Sequence, residues 1–106
     1  MLWKIGKAAS VAAVDVKFSD PAQWFIGGQP LTEVGQSSFC VDIKVTAGTN
    51  SRDDKAAFIR AVFKQMVAIL GPITPTSYVV VQDVAADSWG YGGKTQAYRY
   101  ISGDNG

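Results

Sequence analysis

Apolar and polar positions alternate most cleanly over Ser38–Thr46. Phe39, Val41, Ile43 and Val45 fall on one side, and Cys40, Asp42, Lys44 and Thr46 on the other. A period of two predicts a β-strand with one face in the core. The same pattern runs over Val11–Phe18, where Val14, Val16 and Phe18 oppose Asp15 and Lys17, and it predicts a second half-buried strand. After Ala47-Gly48-Thr49-Asn50 the period lengthens. Ile59, Val62, Phe63, Met66 and Leu70 recur at helical spacing, with Lys55, Arg60 and Lys64 away from that stripe. Asn50 or Ser51 can cap this helix, Ser51-x-x-Asp54 is close to a capping box, and Asp53 and Asp54 suit the positive end of the helix dipole. Gly71-Pro72 stops it. Tyr78–Val84 follows, and the run Val79-Val80-Val81 predicts a central strand buried on both faces.

The remaining segments are short. Trp24–Ile26 is an apolar piece ended by Gly27-Gly28, a tight-turn signal because glycine tolerates positive φ. Gln29–Ser37 reads as a polar loop, and Tyr98, Tyr100 and Ile101 make Thr95–Ile101 a short strand; residues 1–10 carry no assignable pattern. The order β-β-α-β contains one complete βαβ unit over residues 38–84, whose right-handed crossover makes its two strands parallel.

Part of the chain repeats itself. Trp24-Phe25-Ile26-Gly27-Gly28 is echoed at a constant offset by Trp89-Gly90-Tyr91-Gly92-Gly93, and Val14-Asp15-Val16 falls over Val79-Val80-Val81. The expected organisation is a single domain, 1–106, in which 11–28 is the remnant of a first repeat and 38–101 a complete second repeat. The head of the first unit is absent or shrunk into residues 1–10. The fold class is α+β: a mixed sheet with one long helix on one face and an extra strand from the shortened repeat.

Composition narrows the chemistry. A chain of 106 residues with 47% hydrophobic and 18% charged content is a typical globular domain. It buries roughly two-thirds of its unfolded surface. The net charge of +1, with no basic run interleaved with aromatics, argues against nucleic acid as a partner. One cysteine and no histidine leave no internal disulfide, no expected metal site or cofactor, and no Ser-His or Cys-His nucleophile pair. No apolar stretch approaches the ~18 residues of a membrane span. Lys4 and Lys7 before Ala-Ala-Ser-Val-Ala-Ala faintly suggest a leader, but Asp15 and Lys17 end that run early, so a cytoplasmic protein is expected.

The strand Val41–Thr46, the turn Ala47–Asn50, the helix start Arg52-Asp53-Asp54-Lys55, Ile59-Arg60 and Trp89-Gly90-Tyr91-Gly92-Gly93 together resemble the tautomerase superfamily, which includes 4-oxalocrotonate tautomerase and macrophage migration inhibitory factor. The resemblance covers residues 38–101 and implies a tautomerase-like isomerase scaffold. Larger members fuse two βαβ units in one chain. The family's catalytic group is an amino-terminal proline, a secondary amine whose lowered pKa lets it act as a base. Nearby arginines bind a substrate carboxylate and polarise the carbonyl, and an aromatic before the Gly-x-Gly-Gly turn packs over the amine.

Carried over residue by residue, the aromatic falls on Trp89, with Tyr91 beside it. The proline position falls on Cys40, which is internal and has no free amine. The arginine after the first strand falls on Asn50, with Arg52 two residues on, and the arginine heading the second strand falls on Tyr78. The four prolines, at 21, 30, 72 and 75, are internal and cannot be bases. The candidate pocket is therefore Cys40, Asn50, Arg52, Tyr78, Trp89 and Tyr91, with the catalytic group unidentified.

Each of these has an ordinary reading as well. Cys40 is either a reactive thiol or a packed strand cysteine. Arg52 is either a carboxylate ligand or a solvated first-turn side chain. Trp89 and Tyr91 either line a pocket or pack in the core or a subunit boundary, and Trp24 and Phe25 lean further to packing. Asp83 and Asp87 read as solvated groups or loop caps. Two functions follow from the resemblance: an enzyme acting on a small 2-oxo acid or its enol, or a non-catalytic relative binding a small molecule or a protein. The resemblance also implies self-association, with a homotrimer expected, and a small carboxylate-bearing partner.

Overall fold

The computed structural model describes residues 12–102. In chain order these form a 3-10 turn at Pro21–Gln23, strands β1 (Phe25–Ile26) and β2 (Gln29–Pro30), a one-turn helix α1 (Leu31–Val34), strand β3 (Cys40–Thr46), helix α2 (Arg52–Leu70), strand β4 (Tyr78–Val84), strands β5 (Gly90–Tyr91) and β6 (Lys94–Thr95), and helix α3 (Gln96–Ile101). This is an α+β chain built around a βαβ unit. Strands β3 and β4 pair in parallel, with Val41 opposite Val79, Ile43 opposite Val81 and Thr46 opposite Val84. The short pairs β1–β2 and β5–β6 are antiparallel hairpins.

Helix α2 starts where its sequence provides acceptors for the free N–H groups of its first turn. Ser51 Oγ accepts from Asp54 N at 3.0 Å, and Asp54 Oδ2 accepts from Ser51 N at 2.9 Å, a reciprocal capping box. It ends at Gly71, φ 79°, whose N–H donates to Val67 O at 2.9 Å. Ser51→Ala removes one acceptor of the box and is expected to cost about 1 kcal/mol, read as a lower urea midpoint with an unchanged slope. An unchanged midpoint would show that the box contributes nothing.

Phe39 and Val45 from the β3 segment, Phe58 and Val62 from α2, and Ile73 form the buried core, and Val41, Ile43, Phe63, Met66, Val79 and Val81 pack against it. Each fully buried side chain of this kind contributes about 1.5–3 kcal/mol. The helix presents a face rotated from the expected stripe. Phe58 is 3% exposed, whereas Ile59 and Leu70 are 39% and 38% exposed. Lys55, expected away from the stripe, reaches the sheet and pairs with Asp83 at 2.5 Å. Asp83 is thus an ion-pair partner rather than a solvated or capping group. The pair is partly exposed, so its contribution is on the order of 1 kcal/mol or less.

Other expectations are corrected. Residues 12–18 carry no secondary structure; Val14, Val16 and Phe18 are 80%, 69% and 94% exposed. Val11, with which that expected strand opens, and residues 1–10 lie outside the described residues. A strand exists only through its ladder, and within the chain this segment pairs with none of the described strands. Strand β4 is covered on one face only, since Tyr78 and Val80 are 62% and 43% exposed on the face away from α2. The expected loop Gln29–Ser37 contains β2 and α1, and the expected tail strand is helix α3. Thr95 decides the last case, because its side chain caps α3 by accepting from Tyr98 N at 3.1 Å.

The two glycine turns build matching pieces. Gly27 and Gly28 take φ 58° and 80°, and Gly92 and Gly93 take 61° and 79°. Two successive positive φ values make a type I′-like hairpin turn, which is why paired glycines occur there. In each piece the chain then closes back on its tryptophan: Leu31 N donates to Trp24 O at 2.8 Å, and Gln96 N to Trp89 O at 3.0 Å. A short helix follows in both. Because β3 and β4 are parallel, one piece precedes the entry to the sheet and the other follows its exit. The molecule is accordingly long, 52 × 26 × 22 Å. Its radius of gyration is 16.4 Å, against about 13 Å for a compact chain of this size.

Candidate functional site

Parallel pairing sets Cys40 directly opposite Tyr78, at the N-terminal ends of β3 and β4. Both side chains are exposed, on the face that α2 leaves open, and the Cys40 thiol is free. On the same open face Asp42 and Lys44 continue along β3, while Val80 and Gln82 continue along β4.

Asn50 and Arg52 follow the other end of β3. The connecting turn is held by Thr49, whose N and Oγ1 both donate to Thr46 O, at 3.2 and 2.6 Å. Asn50 is half-buried, and Arg52, the first residue of α2, is exposed. Trp89 and Tyr91 follow the exit of β4 on the second hairpin. A run of seven strand residues is about 20 Å long, so the six candidates form two groups. Cys40 and Tyr78 stand together at one end of the strand pair; Asn50, Arg52, Trp89 and Tyr91 follow its opposite end. Within one chain the two groups do not converge.

The second hairpin is the most organised polar region. Trp89 is half-buried, and its Nε1 is buried with no hydrogen-bond acceptor among the described residues. An unmet indole N–H costs about 1–3 kcal/mol. It lies in a shallow cleft shared with Asp87, Ser88, Gly90, Gly93, Lys94 and Thr95. Arg99 lies over the Tyr91 ring at 3.7 Å from the centroid, and its Nη2 donates to Tyr91 O at 2.9 Å. Gly92 makes room for that guanidinium, since a Cβ there would come within 2.8 Å of Arg99 Nη2. Lys94 lies over Tyr98 at 5.3 Å.

Arg99, Lys94 and the Lys55–Asp83 pair are functional-looking residues that sequence reasoning passed over. The glycine-paired turn is the signal for the first: a hairpin doubles the chain back, so a cation on the following helix returns over the hairpin's aromatic. Among the described residues no cluster of three or more Cys, Asp or Glu is placed to hold a metal ion. No described helix is long and apolar enough to cross a membrane.

The family model described as tautomerase enzyme matches residues 40–98, opening at Cys40 and spanning β3, α2, β4, the second hairpin and the start of α3. No curated protein and no solved structure matches the chain. The match covers more than half of the 106 residues and contains the whole βαβ unit, and on that ground the chain belongs to the tautomerase family.

Proposed function

We propose that this tautomerase-family chain binds and acts on a small 2-oxo acid or its enol. The observation that carries the reading is Trp89. It stands where the family places its aromatic, and its buried indole N–H lacks an acceptor among the described residues. A ligand carboxylate would supply that acceptor, and Lys94 in the same cleft would add a positive charge. Arg52, exposed at the start of α2, is the second candidate for holding the carboxylate. The base stays unassigned, since Cys40 N is a peptide nitrogen and every proline is internal. Residues 11–28 are read as the remnant of a first repeat and 38–101 as a complete second repeat. The same reading makes the protein a cytoplasmic homo-oligomer, expected to be a trimer.

A second reading, a non-catalytic member that binds a small molecule or a protein, is favoured by Cys40, an internal residue at the position that the resemblance gives to the family's proline. Ketonisation of an enol-pyruvate separates the two. In this reaction the enol oxygen gives up its proton, its own carbon becomes the carbonyl, and the far carbon of the double bond takes a proton. The expected result is acceleration over buffer, with Arg52→Ala lowering it about tenfold, the scale of one charge-assisted hydrogen bond. Cys40→Ala shows whether the open-face thiol takes part. Activity unchanged by both substitutions removes this site assignment. Absence of activity, with tryptophan-fluorescence binding of the 2-oxo acid retained, selects the second reading.

A further inference from the structure

We propose that residues 12–18 become the third strand of the βαβ sheet in a second copy of this chain, antiparallel to β3 and beneath the exposed apolar flank of α2. This surface is independent of the ligand reading above.

Three observations meet here. The segment has the alternation of a strand but no ladder, and it leaves Val14, Val16 and Phe18 in solvent. Strand β3 pairs only with β4 among the described residues, so its outer edge carries unpaired backbone groups, the usual template for an added strand. Finally, α2 has an apolar flank that its own core covers only in part, a groove lined by Ala56, Ile59, Arg60, Phe63, Lys64 and Val67, with Ile59 39% and Val67 41% exposed. Phe63 on that flank packs against Phe39 at the entry to β3, with ring centroids 5.8 Å apart. The groove therefore overlooks the β3 side of the sheet, where a new strand would lie.

Side-chain chemistry selects the partner strand and its direction. Antiparallel to β3, one register places Val14 by Val45, Val16 by Ile43 and Phe18 by Val41, all on the helix side. The same register places Asp15 by Lys44 and Lys17 by Asp42 on the open side. Every apolar residue then meets an apolar one and every charge its opposite. The parallel arrangement that sets Asp15 by Asp42 also sets Lys17 by Lys44, two like-charge contacts. Shifting it by two residues keeps one favourable pair and puts Lys17 by Thr46. The outer edge of β4 offers Val80 and Gln82 where Asp15 and Lys17 need charges, and Asp83 where an apolar residue is needed.

Within one chain the folded turn–hairpin–helix piece at Pro21–Val34 separates this segment from β3, and the segment is unpaired there. A second copy supplies the edge. Each copy gives one strand and receives one, so a reciprocal pair or a closed ring of copies leaves no free donor.

The test uses the whole chain with Cys40→Ser, so that introduced thiols are alone. Val16→Cys with Ile43→Cys is expected to give disulfide-linked oligomers under mild oxidation, while Val16→Cys with Gln82→Cys does not. A bond formed only within one chain, or none, overturns the proposal. Light scattering of the unmodified protein at micromolar concentration is expected to show an oligomer, and a monomer overturns the proposal. Val16→Asp should weaken association roughly tenfold or more, the worth of one buried apolar side chain. Since Val16 lies outside every folded element of the single chain, the helical dichroism of α2 should stay unchanged. Lys17→Asp should weaken assembly and Asp42→Lys restore it; an oligomer indifferent to all three changes refutes the pairing.

Discussion

Phe58→Ala should bring the βαβ unit to the margin of unfolding. Phe58 is 3% exposed and belongs to a core whose fully covered apolar members, among the described residues, are Phe39, Val45, Phe58, Val62 and Ile73. Emptying a buried phenylalanine site costs about 3–5 kcal/mol through lost transfer energy and the cavity left behind. A domain of this size has about 5–15 kcal/mol in total, and so small a core puts this one at the low end. The cost therefore consumes most of what holds the unit together. Ile59, the next residue, is 39% exposed, and Ile59→Ala should cost far less. Urea unfolding followed by far-ultraviolet dichroism compares the two directly. Equal midpoints would mean that the helix presents the Ile59 side to the sheet.

Gly90→Ala should open the second hairpin while leaving the βαβ unit folded. A Cβ at this position would collide with the Lys94 carbonyl oxygen and come within 2.7 Å of both Lys94 C and Thr95 Cα. All of these are backbone atoms of the facing strand and cannot swing aside. Overpacking against backbone costs about 1–3 kcal/mol, a large share of what a two-residue ladder can hold. The hairpin carries Trp89, Tyr91 and the support for α3, so its loss should also raise the mobility of the candidate cleft. Hydrogen exchange at the Gln96 amide, bonded to Trp89 O, reports the opening. It should accelerate by roughly tenfold or more, with β3 and β4 amides unaffected. Unchanged exchange at Gln96 would show that the turn yields without cost. The matching position in the first hairpin is Phe25, 59% exposed, so the two pieces share hydrogen bonding but not side-chain packing.

Those residues also show what could be read from the sequence. The long elements carry their own signals. Seven strand residues of strict alternation, and a helix begun by Ser51 and Asp54 and ended by Gly71, are local facts, and both appeared where expected. Paired glycines announced both turns, though Gln29–Pro30, the return strand of the first hairpin, read as loop. What could not be read depends on distant partners. Phe58 and Ile59 are adjacent apolar residues, and only the position of the sheet decides which is inward. Lys55 reads as an exposed helix cation until Asp83 arrives from a strand 28 residues away. Tyr98, Tyr100 and Ile101 alternate like a strand, but Thr95 caps a helix there and they pair with no described strand. The alternation of Val14, Val16 and Phe18 is a property of the sequence, while a strand is a property of a pair.

The candidate site divides in the same way. The Trp89–Gly93 element is local and was legible. Whether Cys40 and Tyr78 can work with Arg52 is a question of which end of the strand pair each occupies. Arg99 was missed because its contact with Tyr91 depends on the doubled-back hairpin between them.

The polarity of the β3–β4 pair has a mechanical consequence. The chain reaches β3 at its N-terminal end and leaves β4 at its C-terminal end, and the two strands point the same way. Tension applied along the chain from either side of the unit draws the strands past each other lengthwise. Every bond of the ladder is then strained at once, in shear, and none can be unzipped ahead of the rest. The two end hairpins have antiparallel strands joined by a tight turn and would be peeled open one bond at a time. Under load the ends yield first, and the βαβ unit between them holds until its whole ladder fails together.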